Sequence, residues 1–430
     1  MNKKSYWFTL EPFVYISIKK KNLFLYNTLN RKTLEYNNKP ILINLVKKLQ
    51  AKNNLLVIKL ENEYINNNRD ISNFIKDIRE GFMGDLIDTS SSSVKPIQMM
   101  PYLNIQRDIR RAEREARFDI GKDIMNHLNE MTIFVNNRCD RNCKMCSSAY
   151  KQFLCCYKET GHINELSIKY IQEIIDAIRE SRVYKINVLG GNIFKYSKIE
   201  TLVSLLNTIN IPKSYYIHYL NLISQKDRMI QITKELSGSK IQILVHFPIK
   251  KNVFEKSMPL ITGININPVF TFIIEKESDI ESTQEFVSLF GIDNYSFTPY
   301  FNGKNLPFFE KHVFITKKNI LESKPSITEI LSKNVVNRSL YGSITILSNG
   351  DLKSNLNFDK IGNIKKDSIR HAIYNQLKEG KKSIIYNTWW RTRDQVEWCK
   401  HCHYNLICPS ISNYELAMGR NNLCRILGKS

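Results

Sequence analysis

Long apolar runs are missing from this sequence: no stretch of about 18 consecutive apolar residues occurs, which excludes a membrane-spanning helix. No signal peptide is expected either, since the opening MNKKSYWFTLEPFVY alternates like a strand and has neither an unbroken apolar centre nor a small-residue cleavage site. The expectation is a cytoplasmic protein with no membrane partner. No fixed-period repeat or low-complexity tract is present, which excludes a solenoid. Acid is scarce relative to base: 41 Asp and Glu against 63 Lys and Arg leave a net charge of +22. That excess suits an acidic partner, although a base-composition bias in the gene would also enrich Lys, Asn and Ile. No nucleic-acid motif accompanies the charge, so nucleic acid is not expected as the ligand.

Cysteine is absent from the first 138 residues and then crowded, all nine falling at 139–156 and 399–424. In a cytoplasmic chain such clustering favours metal over disulfides. With 430 residues, 42% of them hydrophobic, the chain can bury more than one core, and disorder over most of its length is excluded.

Hydrophobic periodicity predicts short strands at 7–10, 14–18 and 23–26, the last two a hairpin around the Lys19-Lys20-Lys21 turn. A helix from about Pro40, a strand at 55–60 and a helix at 71–82 follow, and Ser90 to Ser93 form a polar break. Arg107, Arg110, Arg111, Arg114 and Arg117, interleaved with acids, read as a solvated connecting helix. From 131 onward, six strand candidates at 132–135, 185–189, 215–222, 241–247, 269–274 and 295–298 alternate with helical patterns. Strands separated by helices imply parallel βα units with right-handed crossovers, and six of them suit a partial barrel with its chemistry at the C-terminal strand ends. A hairpin signal at 343–352 around Asn349-Gly350 opens a Cys-rich tail.

Cys139, Cys143 and Cys146 follow the first of those six strands with the spacing CxxxCxxC. Three thiolates on one tight loop can hold three irons of a cubane and leave the fourth open to a small chelating molecule. The alternative is structural zinc, with Cys155 or Cys156 as fourth ligand. Cys155 and Cys156 read first as buried packing residues, with a substrate-handling thiol or extra ligand as the other possibility.

On these residues the chain resembles the radical S-adenosylmethionine (SAM) superfamily. The resemblance implies a [4Fe-4S] cluster on Cys139, Cys143 and Cys146 that binds SAM, and reductive cleavage of SAM to a 5'-deoxyadenosyl radical. Gly190-Gly191-Asn192 resembles the family's Gly-Gly-Glu motif at the methionyl amino group, with Asn192 departing from Glu, and Met145 takes the position that supports the adenine. His246, at the end of the fourth strand, is a candidate ribose contact, and Cys155 and Cys156 are the candidate catalytic thiols.

Cys399, Cys402, Cys408 and Cys424 supply four thiolates, enough to close a cubane. With Trp390, Asp394 and Trp398 before them they resemble a SPASM domain, which implies an auxiliary [4Fe-4S] cluster. Asn355 and Ser412 stand where that family has cysteines for a second auxiliary cluster, so one is expected, and Gly362-Asn363-Ile364 matches the connecting segment. His401 and His403 leave a zinc site as the alternative. The amino-terminal pattern resembles a winged-helix-like peptide-recognition module that adds a leader as a strand to a sheet edge, with 23–26 and the helix from Ile71 as contacts. From Tyr6-Trp7 through Asn413-Tyr414-Glu415, the whole resembles the radical SAM/SPASM peptide maturases of Bacteroidales that are paired with double-glycine leaders.

The fold class expected is α/β: a partial (β/α)6 barrel with an N-terminal α+β winged-helix-like module and a Cys-rich C-terminal SPASM-like domain. Its division is 1–88 for the recognition module, 89–130 for the linker helix, 131–305 for the barrel, 306–345 for a connecting segment and 346–430 for the SPASM-like domain. The activity the resemblance implies is modification of a ribosomally made precursor peptide, with a thioether or carbon-carbon cross-link first and epimerisation second. Its partners would be the precursor's leader and an electron donor such as flavodoxin or ferredoxin. Two other readings are a protein-modifying enzyme of the sulfatase-maturing kind and a degenerate, non-catalytic scaffold that presents peptide.

Overall fold

The computed structural model describes residues 4–99, 124–158, 162–233, 235–236, 238–262 and 268–426, and the Arg-rich stretch at 104–119 lies outside them.

The amino-terminal strands form two three-stranded antiparallel sheets. β1 (Ser5–Leu10) lies between β5 (Val57–Glu61) and β6 (Gly84–Asp88), while β3 (Asn22–Asn27) lies between β2 (Val14–Lys19) and β4 (Thr33–Asn37). Helix Pro40–Gln50 turns Leu42, Leu45, Val46 and Leu49 inward, and helix Arg69–Glu80 turns Ile71, Phe74, Ile75 and Ile78 inward. These i, i+3, i+4 stripes close a core with Phe8, Leu10, Leu23 and Leu25. Pro40 sits in the first turn, where its missing N–H removes no bond.

Three expectations shift here. The strand expected at 55–60 begins at Val57, because Leu55 and Leu56 have φ of 48° and 62°, outside the extended region. The helix expected to reach 82 stops at Glu80, and Phe82 turns outward, 72% exposed. β4 and β6 are additions: Glu35 and Asn37, then Asp85 and Asp88, hide their alternation. The strand at 23–26, expected to receive a leader, is the central strand of its sheet, with β2 and β4 paired along both edges. It has no free backbone edge to offer.

The larger body is a nine-stranded sheet in the order β12-β11-β10-β9-β8-β7-β13-β14-β15. Its parallel part runs in chain order through β7 (Glu130–Phe134), β8 (Lys185–Leu189), β9 (Lys213–His218), β10 (Lys240–His246), β11 (Pro268–Ile274) and β12 (Tyr295–Pro299). Helices fill the crossovers, among them Ile168–Arg179, Ile199–Asn207, Lys251–Thr262 and Glu277–Phe290. Parallel neighbours require such crossovers, and burial on both faces accounts for strands as apolar as KINVL and PVFTFII. The strand expected at 215–222 stops at His218, where helix Tyr219–Ser224 begins and the imidazole Nδ1 accepts the Leu220 N–H at 3.2 Å. The expected hairpin forms from β13 (Ser343–Ile346) and β14 (Asp351–Lys353), continues to β15 (Gly362–Asn363), and joins the main sheet because β13 pairs in parallel with β7. Among the described residues no helix is long and apolar enough to cross a membrane.

The face of the β2-β3-β4 sheet turned away from its own helices packs on the carboxy-terminal segment. Tyr15, Phe24 and Tyr26 are buried against Tyr404, Ile407 and Cys408, with Phe24 and Tyr404 ring centroids 5.0 Å apart. The Tyr15 hydroxyl donates to the His403 carbonyl at 3.2 Å, Lys19 donates to the Lys400 carbonyl at 2.8 Å, and Glu35 accepts from Lys317 and Tyr404. Tyr15→Phe is expected to cost about 1 kcal/mol. Hydrogen exchange should then rise in both partners, residues 14–27 and 399–408.

Candidate functional site

The cysteine loop starts where β7 ends and leans on the end of β8. The Gly191 N–H donates to the Asn136 carbonyl at 3.0 Å. A Cβ at Gly190 would stand 2.8 Å from Asn136 Oδ1, and one at Gly191 would stand 2.4 Å from the Arg138 carbonyl oxygen. Gly191 is therefore needed for this approach, which seats the loop carrying Cys139, while a side chain at Gly190 would displace the Asn136 amide. Gly191→Ala is expected to destabilise the protein by about 1–3 kcal/mol through overpacking against backbone, measured by denaturant unfolding. Asn192 is buried, and its Oδ1 accepts the Phe194 N–H at 3.1 Å, capping the turn Ile193–Lys195.

Cys139, Cys143 and Cys146 are each partly exposed. The Cys146 N–H donates to the Cys143 carbonyl at 3.1 Å, folding the CxxC into one turn. A hydrogen bond from the Cys143 thiol pushes Cys146 down to about 6, and the same bond with burial holds Cys143 above its ordinary value. Burial also raises Cys139, against the Arg141 N–H that points at its sulfur from 3.4 Å. Arg141 pins the loop to the helix after β9 through the Leu220 carbonyl and Asn221 Oδ1.

Behind the loop lies a buried apolar cluster of Met145, Ala149, Cys155, Cys156, Leu244, Ile273 and Tyr300. The Cys155 and Cys156 sulfurs are 4.0 Å apart and both residues are buried, and Cys155 Sγ lies 3.8 Å from His246 Nε2. Ser148 and Tyr300 hydroxyls meet at 2.6 Å, and Gln152 makes a pair of 2.9 Å bonds with the Phe301 backbone. These bonds tie the loop from β7 to the end of β12, across the mouth of the open sheet. The Tyr414 hydroxyl closes the same end on the Pro299 carbonyl at 2.6 Å.

Two histidines complete this centre. His246 ends β10, and burial pushes it down to about 4, so its imidazole is neutral near pH 7. His218 ends β9 and is also held well below its ordinary value, first by burial and then by His246 and Arg141. His218 is not signalled by the sequence, because the apolar run at 215–222 reads as one strand through it. The available signal was a histidine at the end of two successive strands. Cys139 also opens outward, onto a cleft of about 900 Å³ lined by Arg138, Asp140, Lys158, Lys195 and Arg228.

The second cysteine group converges as well. Cys399, Cys402, Cys408 and Cys424 line a small cavity of about 20 Å³ under Ile315 and Ile320. Backbone bonds between Ile315 and residues Leu423 and Arg425 bring Cys424 in. Arg393 was missed in the sequence: it is buried, forms a bidentate pair with Glu415 at 2.9 and 3.1 Å, and places Nη1 3.8 Å from Cys399 Sγ. Burial pushes Cys408 up to about 12 despite the neighbouring guanidinium. His401 points outward, 54% exposed, and His403 faces Phe24, so neither lines the cavity. Asn355 and Ser412 are each engaged in polar bonds: Asn355 Nδ2 donates to Asn413 Oδ1 at 2.7 Å, and Ser412 caps helix Asn413–Met418.

The chain is similar to SuiB of Streptococcus suis. The crystal structure of SuiB bound to S-adenosylmethionine aligns at 15% identity over 97% of each chain, with a TM-score of 0.47. SuiB bound to the precursor peptide SuiA aligns at 15% identity over 97% of this chain and 98% of that one, with a TM-score of 0.46. SuiB alone aligns at 14% identity over 97% and 100%, with a TM-score of 0.42. No protein-family model matches the sequence, and no curated protein does.

Proposed function

We propose that this protein is a radical SAM enzyme that modifies a precursor peptide, with one SAM-binding [4Fe-4S] cluster and one auxiliary [4Fe-4S] cluster. The observation that carries the reading is the position of Cys139, Cys143 and Cys146: a single loop at the C-terminal end of the first of six parallel strands in chain order, seated on Gly190-Gly191. Spacing argues against zinc. Zinc at about 2.3 Å from each sulfur would hold thiolates roughly 3.8 Å apart, whereas among the described residues no three cysteine sulfurs lie within 4.8 Å of one another. A cubane separates its ligands further, because irons stand between them.

Cys139, Cys143 and Cys146 would hold the first cluster and Cys399, Cys402, Cys408 and Cys424 the second. When bound, the first cluster and SAM supply reductive cleavage of the sulfonium, giving a 5'-deoxyadenosyl radical that takes hydrogen from the peptide. Cys146 is already biased to thiolate and so is ready to ligate. Met145, Leu244 and Ile273 exclude water, and the Ser148-Tyr300 and Gln152-Phe301 bonds keep the loop closed over the strand ends. Gly190-Gly191 and the buried His246 border the space where SAM would lie, His246 as the ribose contact. Arg393 lies against Cys399 and would partly neutralise the second cluster's thiolates.

The substrate would be a peptide with a leader, held by the module at 1–88. The leader would add to β4, one of the two edge strands of the β2-β3-β4 sheet. Cross-linking, by thioether or carbon-carbon bond, is the leading product. Cys155 and Cys156, buried beside Met145, favour epimerisation as a second reading, because a thiol there can return a hydrogen atom. An acidic electron donor of the flavodoxin or ferredoxin kind would approach Cys139 through the cleft lined by Arg138, Lys158 and Lys195.

The test is anaerobic reconstitution with iron and sulfide, followed by dithionite, SAM and the precursor encoded beside the gene. Formation of 5'-deoxyadenosine with a peptide two hydrogens lighter supports cross-linking, unchanged mass with deuterium uptake supports epimerisation, and no 5'-deoxyadenosine overturns the enzyme reading. Because the chain is strongly basic, leader binding is expected to weaken by about tenfold between 50 mM and 500 mM salt if the leader is acidic, measured by fluorescence anisotropy.

A further inference from the structure

The cluster-free chain has a second use for one of its cysteines. We propose that Cys143, His218 and His246 bind a single borderline divalent ion of the zinc class when the cysteine loop carries no iron-sulfur cluster. Their ligand atoms lie within 4.8 Å of one another, and they are the one such group of Cys, His, Asp or Glu among the described residues. One thiolate and two imidazoles are donors that zinc, cobalt and nickel accept, leaving a fourth position open.

The fold builds this grouping from three separate crossovers. His218 pairs in register with Leu244 across β9 and β10, so His246, two residues further along, projects from the same face one pleat on. The rings meet edge to face with centroids 4.6 Å apart. Cys143 arrives from the loop after β7, steadied by Arg141 on Leu220 and Asn221. A second, independent sign of a missing partner is His246 Nδ1, a buried nitrogen with no hydrogen bond, in a residue 7% exposed. The other nitrogen of the same ring, Nε2, lies 3.8 Å from Cys155 Sγ, which orients the ring.

Two adjustments accompany binding. The Cys143 thiol gives its proton to solvent as the metal-sulfur bond forms, so uptake releases one proton. His218 gives up the Leu220 N–H cap, because a metal-bound neutral imidazole leaves no free lone pair on Nδ1 to accept it. Because Cys143 is shared, the ion and a cluster on Cys139, Cys143 and Cys146 exclude each other. The mononuclear ion therefore blocks cluster assembly until it is removed. The proposal goes beyond the reading above and stands without it.

The experiment uses full-length, iron-free protein under anaerobic conditions, carrying Cys399→Ser and Cys402→Ser so that the carboxy-terminal thiols are not counted. Titration with Co²⁺ alone should give one equivalent with thiolate-to-cobalt charge transfer and tetrahedral visible bands. His218→Gln and His246→Gln should each weaken binding by about 100-fold or more, and Cys143→Ala should remove the charge-transfer band. Cys139→Ala and Cys146→Ala should change affinity by less than about threefold. Circular dichroism melts check that each variant is folded. Binding that ignores both histidines and disappears with Cys139 or Cys146, or no tetrahedral cobalt in folded protein, overturns the site. Iron-sulfur reconstitution of the wild-type chain, followed by electron paramagnetic resonance, tests the earlier reading separately. A cluster without a cobalt site sinks this proposal alone, and a cobalt site without a cluster sinks the other.

Discussion

Replacing Cys143 with alanine is expected to take 5'-deoxyadenosine formation to background in reconstituted, dithionite-reduced protein. Three thiolates are the minimum for a cubane with one open iron. The loop has no spare, since the Cys155 and Cys156 sulfurs are 4.0 Å apart in the wall behind it, with Cys155 turned toward His246. A fall of at least about 1000-fold, equivalent to about 4 kcal/mol of barrier, is the expected size. Chromatography of the reaction with SAM alone measures it, with iron content read alongside. Cys155→Ala is the informative contrast: it leaves the three ligands in place, so 5'-deoxyadenosine should still form while the peptide product changes. Activity retained by Cys143→Ala would remove the loop from the chemistry.

Arg393→Ala carries the largest expected stability effect. Arg393 and Glu415 side chains are 6% and 2% exposed, and the guanidinium also donates to the Pro409 carbonyl at 2.5 Å. Its removal leaves a buried carboxylate facing Cys399 and Cys408 with no counter-charge, a loss of about 3–5 kcal/mol. Iron in the reconstituted protein should fall from about eight per chain toward about four, because the second cavity loses its organiser while the first keeps its own. The pair Arg393→Met with Glu415→Gln removes both charges and keeps an acceptor for the Ser412 N–H, which Glu415 now binds at 2.8 Å. That double variant should recover most of the stability and little of the second-site iron. Equal stability of Arg393→Ala and wild type in thermal unfolding would show the pair to be solvated.

Periodicity sufficed where one face or one run carried the signal. The alternation of 14–18 and the stripe of Ile71, Phe74, Ile75 and Ile78 predict the elements observed, within a residue or two at the ends. It failed where polar residues occupied a strand, as with Glu35 in β4 and Asp85 in β6. It failed again at 215–222, because an aromatic-rich run looks equally apolar as strand or helix. There the His218 side chain, bonded to the Leu220 N–H, marks the change.

The two cysteine groups, their separation and their spacings were readable from the chain alone, because a short loop delivers CxxxCxxC or CxxC thiols to one place whatever surrounds it. What surrounds them was decided by tertiary packing. His218 and His246 are 28 residues apart in sequence and meet because β9 and β10 are adjacent and parallel. Arg393 finds Glu415 across 22 residues. The strand at 23–26, read as an edge, is central because β2 and β4 pair on either side of it, which leaves those two strands as the sheet's edges. Local spacing determines which donors arrive together along the chain. Strand order and burial decide which distant side chains they meet, and pairwise packing over such distances leaves no period in a sequence for a reader to count.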